Sequence, residues 1–208
     1  MRKILTFFGV SVCAITFMIS GCSSPKPEKT IDNLKAAITG ETNASARYAA
    51  FATKALEEGY DTIAKMFHAT AKAESIHAAN HLSVLTKLGV DFTPKLDTIK
   101  LLTTKENLLS AIAGESYEFS TMYPEFIKTA ELEKVEGAIT SFNWANDTEK
   151  KHKDFYQKAL DVINVSANET GLAYTWFVCP KCGNTFSDAA IDEKCSFCMT
   201  PKEKFLNF

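Results

Sequence analysis

The chain contains one sequence unit twice, and this internal repeat restricts its fold more than any other feature. A segment beginning at Asn33 returns at Asn107 with Asn, Leu, Ala, Ile, Gly and Glu in the same places, an offset of 74 residues. A Glu-x-x-His sequence at position 74 returns at position 149, an offset of 75. Each unit is long enough for a pair of helices. The repeat therefore predicts an all-α, four-helix bundle over residues 30–165.

The ends of these helices are marked by residue types that favour helix termini. Thr30 and Asp61 are predicted to cap the first and second helices, and Gly59 and Gly89 to end them. The sequence Thr103-Thr104-Lys105-Glu106 predicts a capping box at the start of the third helix.

One interruption is expected inside a helix. Pro124 lies within the predicted third helix, where it lacks the N–H that the helix needs. It is expected to kink that helix or to mark a short break. Pro94 lies in the long connection between the two halves of the repeat.

The four helices carry a set of carboxylates and imidazoles at helical spacing. Residues i and i+3 share a helix face, so each Glu-x-x-His presents an oxygen and a nitrogen ligand side by side. One glutamate from each of two helices and one Glu-x-x-His from each of the other two is the pattern of di-iron carboxylate bundles. Oxygen and imidazole ligands suit iron or manganese. The candidate metal ligands in the bundle are Glu41, Glu74, His77, Glu115, Glu118, Glu149 and His152.

Small and apolar neighbours place most of these glutamates on inward faces, where an unpartnered carboxylate would be very unfavourable. Taken singly, a Glu-x-x-His on a helix is more often part of a solvated surface. The combination over four helices favours the metal site. His68 and His81 have no counterpart in the second unit, and we interpret them as structural or surface residues.

Four cysteines near the C-terminus have the spacing C-x2-C-x12-C-x2-C: Cys179, Cys182, Cys195 and Cys198. Two such knuckles predict a tetrahedral four-sulfur metal site. Residues 23–178 contain no cysteine, so a disulfide framework for the large domain is excluded. The spacing is compatible with iron and with structural zinc. We expect a linker at 166–173 and a small domain at 174–208 that depends on its metal for folding.

The N-terminal residues 1–21 are predicted to be an export signal. Two basic residues precede Ile4–Ile19, an uncharged and mostly apolar run of 16 residues, shorter than the ~20 that span a bilayer. Ile19-Ser20-Gly21-Cys22 resembles the lipobox of bacterial lipoproteins. This resemblance implies lipidation of Cys22, a tether at 22–29, and a cell-envelope location, lipid-anchored on the extracytoplasmic (periplasmic) side of a bacterial membrane. An uncleaved anchor and an ordinary signal peptide are the alternatives.

Over nearly all of the remaining chain the sequence resembles the rubrerythrin family. The resemblance implies a ferritin-like bundle holding two iron ions, followed by a rubredoxin-like domain holding one iron, with zinc as the alternative in the second site. The matching segments are Gly40-Glu41, Glu58-Gly59-Tyr60, Glu74-x-x-His77, Gly114-Glu115-Ser116-Tyr117-Glu118, Met122-Tyr123-Pro124 and Glu149-x-x-His152.

The resemblance also implies roles for individual residues. Glu118 and His77 occupy positions that exchange as ligands of one iron when the redox state changes in this family. The equivalent of Glu118 in the first repeat is Ala44, so Glu118 breaks the internal symmetry. Tyr48 and Tyr123 match tyrosines that hydrogen-bond the ligating carboxylates.

The activity implied is a non-haem di-iron peroxidase that reduces hydrogen peroxide to water and is re-reduced through the rubredoxin-like iron. The molecule would be a homodimer or larger, with the cysteine domain of one chain serving the di-iron site of another. A ferroxidase that uses oxygen, and a lipid-anchored metal-binding protein with structural zinc, are the alternatives. An exported protein needs an extracytoplasmic electron donor. The formal charge of −2 gives no reason to expect nucleic acid as a partner.

Overall fold

The computed structural model describes residues 26–166 and 168–208, and Cys22 with the export segment lies outside this range. Among these residues, five α-helices precede a small β-sheet. The helices are α1 (Glu28–Glu57), α2 (Asp61–Lys87), α3 (Thr104–Tyr117), α4 (Tyr123–Leu132) and α5 (Glu136–Val165). Within these described residues, no helix is both long enough and apolar enough to cross a membrane.

The predicted C-terminal ends of α1 and α2 are confirmed, but the predicted side-chain caps at their N-termini are wrong. Gly59 and Gly89 have φ angles of +82° and +75°, the left-handed conformation in which glycine commonly ends a helix. Thr30 lies inside α1, and Asp61 is the first residue of α2 without a capping hydrogen bond.

Carboxylates distant in sequence provide the capping instead. The carboxylate of Glu133 accepts the backbone N–H of Thr30 at 2.8 Å. The carboxylate of Glu169, in the segment before the sheet, accepts the N–H groups of Thr62 at 3.0 Å and Ile63 at 2.6 Å. Each carboxylate also lies against the positive end of a helix dipole. The predicted capping box of α3 at Thr103 is present.

A π-helical turn, Glu118–Met122, joins α3 to α4, so that the three segments form one interrupted helix of the bundle. Pro124 is the second residue of α4. A proline inside an α-helix cannot donate to the carbonyl four residues earlier, and its ring clashes with that carbonyl. Widening the preceding turn relieves both problems, and such turns are frequent at functional sites. The break expected at Pro124 therefore places Glu118 at the start of a widened turn.

Two apolar clusters fill the bundle, and the candidate metal ligands lie between them. One cluster is built around the rings of Tyr48, Phe67 and Tyr156. The other is built around Phe142 and Tyr123. Helices α1, α2 and α5 contribute residues to both clusters, whereas α3 contributes to the first and α4 to the second. The carboxylates are therefore held in a layer that is closed to water at both ends.

The C-terminal segment forms a three-stranded antiparallel sheet with the order β2-β1-β3: β1 is Trp176–Val178, β2 is Thr185–Ser187 and β3 is Leu206–Asn207. We call residues 174–208 the cysteine module. Phe186 and Phe205 stack inside it with ring centroids 5.0 Å apart. Trp176 packs against Phe155 of α5 instead, with centroids 4.7 Å apart. Aromatic residues thus serve both to fill the module and to attach it to the bundle.

Candidate metal centres

Two groups of four donor side chains meet in the middle of the bundle, and in each group the donor atoms lie within 4.8 Å of one another. Glu74 and Glu149 belong to both groups. The two oxygens of Glu149 lie 3.0 Å from His77 Nδ1 and 3.0 Å from His152 Nδ1. Glu74 spans the same two imidazoles at 2.9 Å on each side. The groups are Glu41, Glu74, His77 and Glu149, and Glu74, Glu115, Glu149 and His152.

The chemistry of this layer fits two cations. All six side chains are at most 1% exposed. Several of their donor atoms lack an aligned hydrogen-bond partner although other polar atoms lie about 3 Å away. Their lone pairs converge on shared points rather than on each other, as ligands of a common ion do. Four buried carboxylates without counter-charge would be strongly destabilising, and two divalent iron ions would neutralise them.

Two tyrosines hold the outer carboxylates, as the sequence resemblance implied. The hydroxyl of Tyr48 donates to Glu115 Oε1 at 2.6 Å, and the hydroxyl of Tyr123 donates to Glu41 Oε1. Both tyrosines are about 1% exposed or less. Burial, followed by the neighbouring carboxylates, raises the pKa of each hydroxyl well above its usual value, so both keep their protons.

His81 is a site residue that the sequence analysis interpreted only as structural or surface. It is fully buried, and its Nε2 lies 3.2 Å from the hydroxyl of Tyr123. The hydroxyl of Tyr123 already donates to Glu41, so it accepts from His81 Nε2–H, and Nδ1 is then free to accept from the hydroxyl of Ser141. Burial, followed by the nearby His77, lowers the pKa of His81 to about 3, which keeps the ring neutral. His81 therefore orients the hydroxyl of Tyr123 toward Glu41. Its position one helical turn after His77 was the signal available in the sequence.

Glu118 lies beside the two donor groups but belongs to neither of them among the described residues. It is partly exposed, and a Cβ at Gly40 would lie 3.9 Å from its Oε1. Burial raises the pKa of Glu118 well above the usual value, and the charges of Glu41, Glu149 and Glu74 raise it further. The structure thus has His77 in the ligand layer and Glu118 outside it.

The four cysteines meet as their spacing predicted. Cys179 and Cys198 Sγ atoms lie 3.4 Å apart, as do those of Cys182 and Cys195, and none of these four residues forms a disulfide. Four sulfurs at this separation fit a tetrahedral metal ion.

The two knuckles make the same turn even though only the first contains glycine. Gly183 N–H bonds the carbonyl of Cys179 at 3.0 Å, and Met199 N–H bonds the carbonyl of Cys195 at 2.9 Å. Met199 accepts a φ of +60° to make this turn. A residue with a side chain can therefore occupy this position of a knuckle.

The cysteine module contacts both ligand histidines. His152 Nε2 donates to the hydroxyl of Thr185 at 2.8 Å. Gly183 packs directly on His77, where a Cβ would lie only 2.4 Å from Nε2. These contacts form within one chain, whereas the family resemblance implied that the module serves a second chain. Gly183 directly follows the metal-site residue Cys182, so its contact with His77 places the four-sulfur site beside the carboxylate layer.

Proton binding to the metal-free layer should make its stability depend on pH. Burial, then Glu149 and Glu74, raises the pKa of Glu41 to about 8. For His152, burial lowers the pKa but the carboxylates of Glu74 and Glu149 outweigh it and raise the value to about 9. A raised folded-state pKa stabilises the fold below the unfolded pKa, and this contribution is lost as pH rises through the folded value. The pKa of Glu74 is lowered to about 2, so the contribution of this carboxylate to stability changes only at acidic pH.

The metal-free protein is therefore expected to melt at least about 5 °C lower near pH 9 than near pH 6. The iron-loaded protein should show a much flatter profile, because the metal replaces the bound protons. Thermal unfolding followed by circular dichroism in both forms tests this. A metal-free protein whose melting temperature rises over the same range would contradict the prediction.

Comparison with known proteins decides the family. The rubrerythrin family model matches residues 32–160. The chain belongs to the rubrerythrin family. It is 35% identical over 193 residues to nigerythrin of Nitratidesulfovibrio vulgaris, covering 92% of this chain and 93% of that protein. It is 34% identical over 187 residues to rubrerythrin-2 of Clostridium acetobutylicum, covering 89% and 100% of the two chains.

Solved structures agree with this assignment. The fully reduced, all-ferrous state of nigerythrin matches with a TM-score of 0.78 and 31% identity, and the match covers all of both chains. The architecture is that of a rubrerythrin: a ferritin-like di-iron bundle followed by a rubredoxin-like four-cysteine domain. The protein is an iron-dependent oxidoreductase of this family, with the residues of a di-iron site in the bundle and a four-cysteine metal site in the cysteine module.

Proposed function

We propose that the protein reduces hydrogen peroxide to water at the carboxylate layer, using electrons that arrive through the cysteine module. The observation that carries this proposal is the contact of Gly183 and Thr185 with the two ligand histidines. A dedicated one-electron site packed on a two-iron site suits a reaction that needs two electrons per turnover: H2O2 + 2 e⁻ + 2 H⁺ → 2 H2O.

Each part of the chain has a defined task in this reaction. When bound, the iron pair supplies the two electrons that cleave the O–O bond. Tyr48 and Tyr123 hold one oxygen of Glu115 and one of Glu41, which leaves the other oxygens directed at the metal positions. His81 fixes the hydroxyl of Tyr123. The two apolar clusters keep bulk water away from the reacting atoms.

Exchange of Glu118 for His77 fits the charge balance of this cycle. Four carboxylates neutralise two ferrous ions, and this is the set that the structure assembles, with His77 as a neutral ligand. Oxidation adds two positive charges, and recruitment of Glu118 offsets one of them. Release of His77 would also move the ring that touches Gly183.

A ferroxidase that uses oxygen is the second candidate, because di-iron carboxylate layers also serve that chemistry. The cysteine module favours the peroxidase, since iron oxidation delivers electrons to the layer and needs no reducing domain. A cysteine module packed on the carboxylate layer is also unexpected for a protein that only binds metal.

Stopped-flow reoxidation of the fully reduced, iron-loaded protein distinguishes these functions. We expect hydrogen peroxide to reoxidise the bundle iron at least about tenfold faster than oxygen at equal concentration. Two moles of ferrous iron should be oxidised per mole of peroxide, with water as the product. Faster reoxidation by oxygen, or accumulation of a ferric mineral, would favour the ferroxidase.

We also propose that the protein acts outside the cytoplasm as a lipid-anchored homodimer or larger oligomer. Support for the anchor comes from the lipobox-like sequence ending at Cys22, and support for the oligomer comes from family resemblance. The electron donor would then be a periplasmic or membrane carrier. Radiolabelled fatty acid incorporated into the wild-type protein but not into Cys22→Ser tests the anchor.

A further inference from the structure

One lysine of the bundle is directed away from the carboxylate layer and into the cysteine module. Lys151 lies on α5 between the ligands Glu149 and His152, but its Nζ donates to Asn184 Oδ1 at 2.6 Å. The same ammonium group lies 5.0 Å from the ring centroid of Phe186 and 4.8 Å from that of Phe197. Lys151 is half-buried in this position.

Asn184 connects this lysine to the four-sulfur site. It is fully buried, and its amide nitrogen donates to Cys195 Sγ at 3.6 Å. Its backbone carbonyl accepts the N–H of Cys179 at 2.9 Å. The asparagine therefore has its oxygen on the bundle's lysine and its nitrogen on a metal-ligating sulfur. This orientation of the amide is the one that satisfies both groups.

The charge of the cysteine site changes during electron transfer, and a nearby cation distinguishes its two states. Four thiolates with ferric iron carry a formal charge of −1, and with ferrous iron −2. A positive charge close to the sulfurs stabilises the ferrous state more than the ferric state, and a hydrogen bond to sulfur acts in the same direction. Both effects raise the reduction potential of the iron.

We propose that Lys151, acting directly and through Asn184, raises the reduction potential of the four-cysteine iron when the module lies on the bundle. The lysine belongs to the bundle, whereas the sulfurs and the asparagine belong to the module. The module therefore gains this stabilisation of its reduced state only in the docked position, beside the histidines that it serves. The inference rests on iron in the cysteine site and not on peroxide as the substrate.

The experiment is a redox titration of the full-length, iron-loaded protein, followed by the visible absorption of the four-cysteine iron. Lys151→Met is expected to weaken reduction about tenfold, a potential lower by about 59 mV for a one-electron couple. Lys151→Arg should remain close to the wild type. Lys150→Met is the matched control, because Lys150 is the exposed neighbour on the same helix and should leave the potential unchanged.

A purely structural role for Lys151 predicts a different result. Lys151→Met would then lower the melting temperature without moving the potential, and that outcome would overturn the proposal. Asn184→Ala supplies a second measurement, since it removes the hydrogen bond to Cys195 and should also lower the potential. An equal shift in Lys150→Met would show a general charge effect and would equally overturn the proposal. Because the titration contains no peroxide, it remains valid if the peroxidase proposal fails.

Discussion

Glu149→Ala is expected to remove iron from the bundle and to lower peroxide reduction by more than about 100-fold, since even the loss of residues that merely support metal ligands costs 10- to 100-fold. Glu149 is placed to serve both metal positions, with one oxygen 3.0 Å from His77 Nδ1 and the other 3.0 Å from His152 Nδ1. Truncation removes one donor from each position and one of four negative charges. Of the two carboxylates that span His77 and His152, only Glu74 then remains.

Elemental analysis and the visible spectrum provide the measurement. The iron of the cysteine module should be retained with its colour, because its four ligands lie on a separate part of the chain. Glu136→Ala is the control, since Glu136 is an exposed glutamate on the same helix. Full iron content in Glu149→Ala would show that Glu118 or another group replaces the lost ligand, contrary to this assignment.

Gly183→Ala is expected to uncouple the two metal sites while leaving each of them intact. A methyl group at this position would lie 2.4 Å from His77 Nε2 and 3.1 Å from the carbonyl oxygen of Ala73. Because the methyl group would collide with both a ligand histidine and the backbone of α2, the module has to shift away from the bundle. Electron delivery falls steeply with separation. We expect steady-state peroxide turnover to fall at least about tenfold, because a displacement of only about 1 Å can cost 100-fold at a positioned site.

The reaction of the pre-reduced protein with a single equivalent of peroxide should remain near the wild-type rate, because it needs no electron from the module. Stopped-flow single turnover and steady-state assays together separate these steps. A parallel loss in both would show that the substitution damages the carboxylate layer instead.

Backbone strain is the competing explanation for Gly183→Ala, and the chain contains a matched control. Gly59 has the same φ of +82°, but a Cβ there meets nothing within 4 Å. Gly59→Ala should lower stability by about 1 kcal/mol through strain alone and leave turnover unchanged. Met199 shows that a side chain is tolerated in the equivalent turn of the second knuckle. Glycine is therefore required at position 183 mainly because a larger residue would collide with His77 of the bundle.

The sequence by itself determined the ligand set and the helical frame that carries it. Glu-x-x-His repeats and the C-x2-C knuckles are local patterns, and helix or knuckle geometry turns their spacing directly into shared faces. Gly59, Gly89 and Pro124 act through the conformation of their own backbone, so their effects on the helices were predictable.

Contacts between distant segments were decided only by the tertiary structure. The caps from Glu133 and Glu169 join residues more than 100 positions apart, and no local propensity indicates them. The role of His81 was not predicted from the sequence because its partners, Tyr123 and Ser141, lie on other helices.

The position of the cysteine module on the bundle was likewise decided only by the tertiary structure. Its four sulfurs are specified by two short motifs, but its place on the bundle depends on the fit of Gly183 against His77 and on the link from Lys151 to Asn184. Those contacts depend on the shapes and charges of segments about 33 or more residues apart in the sequence. Residue spacing along the chain therefore predicted two metal sites, and only packing brought them into contact.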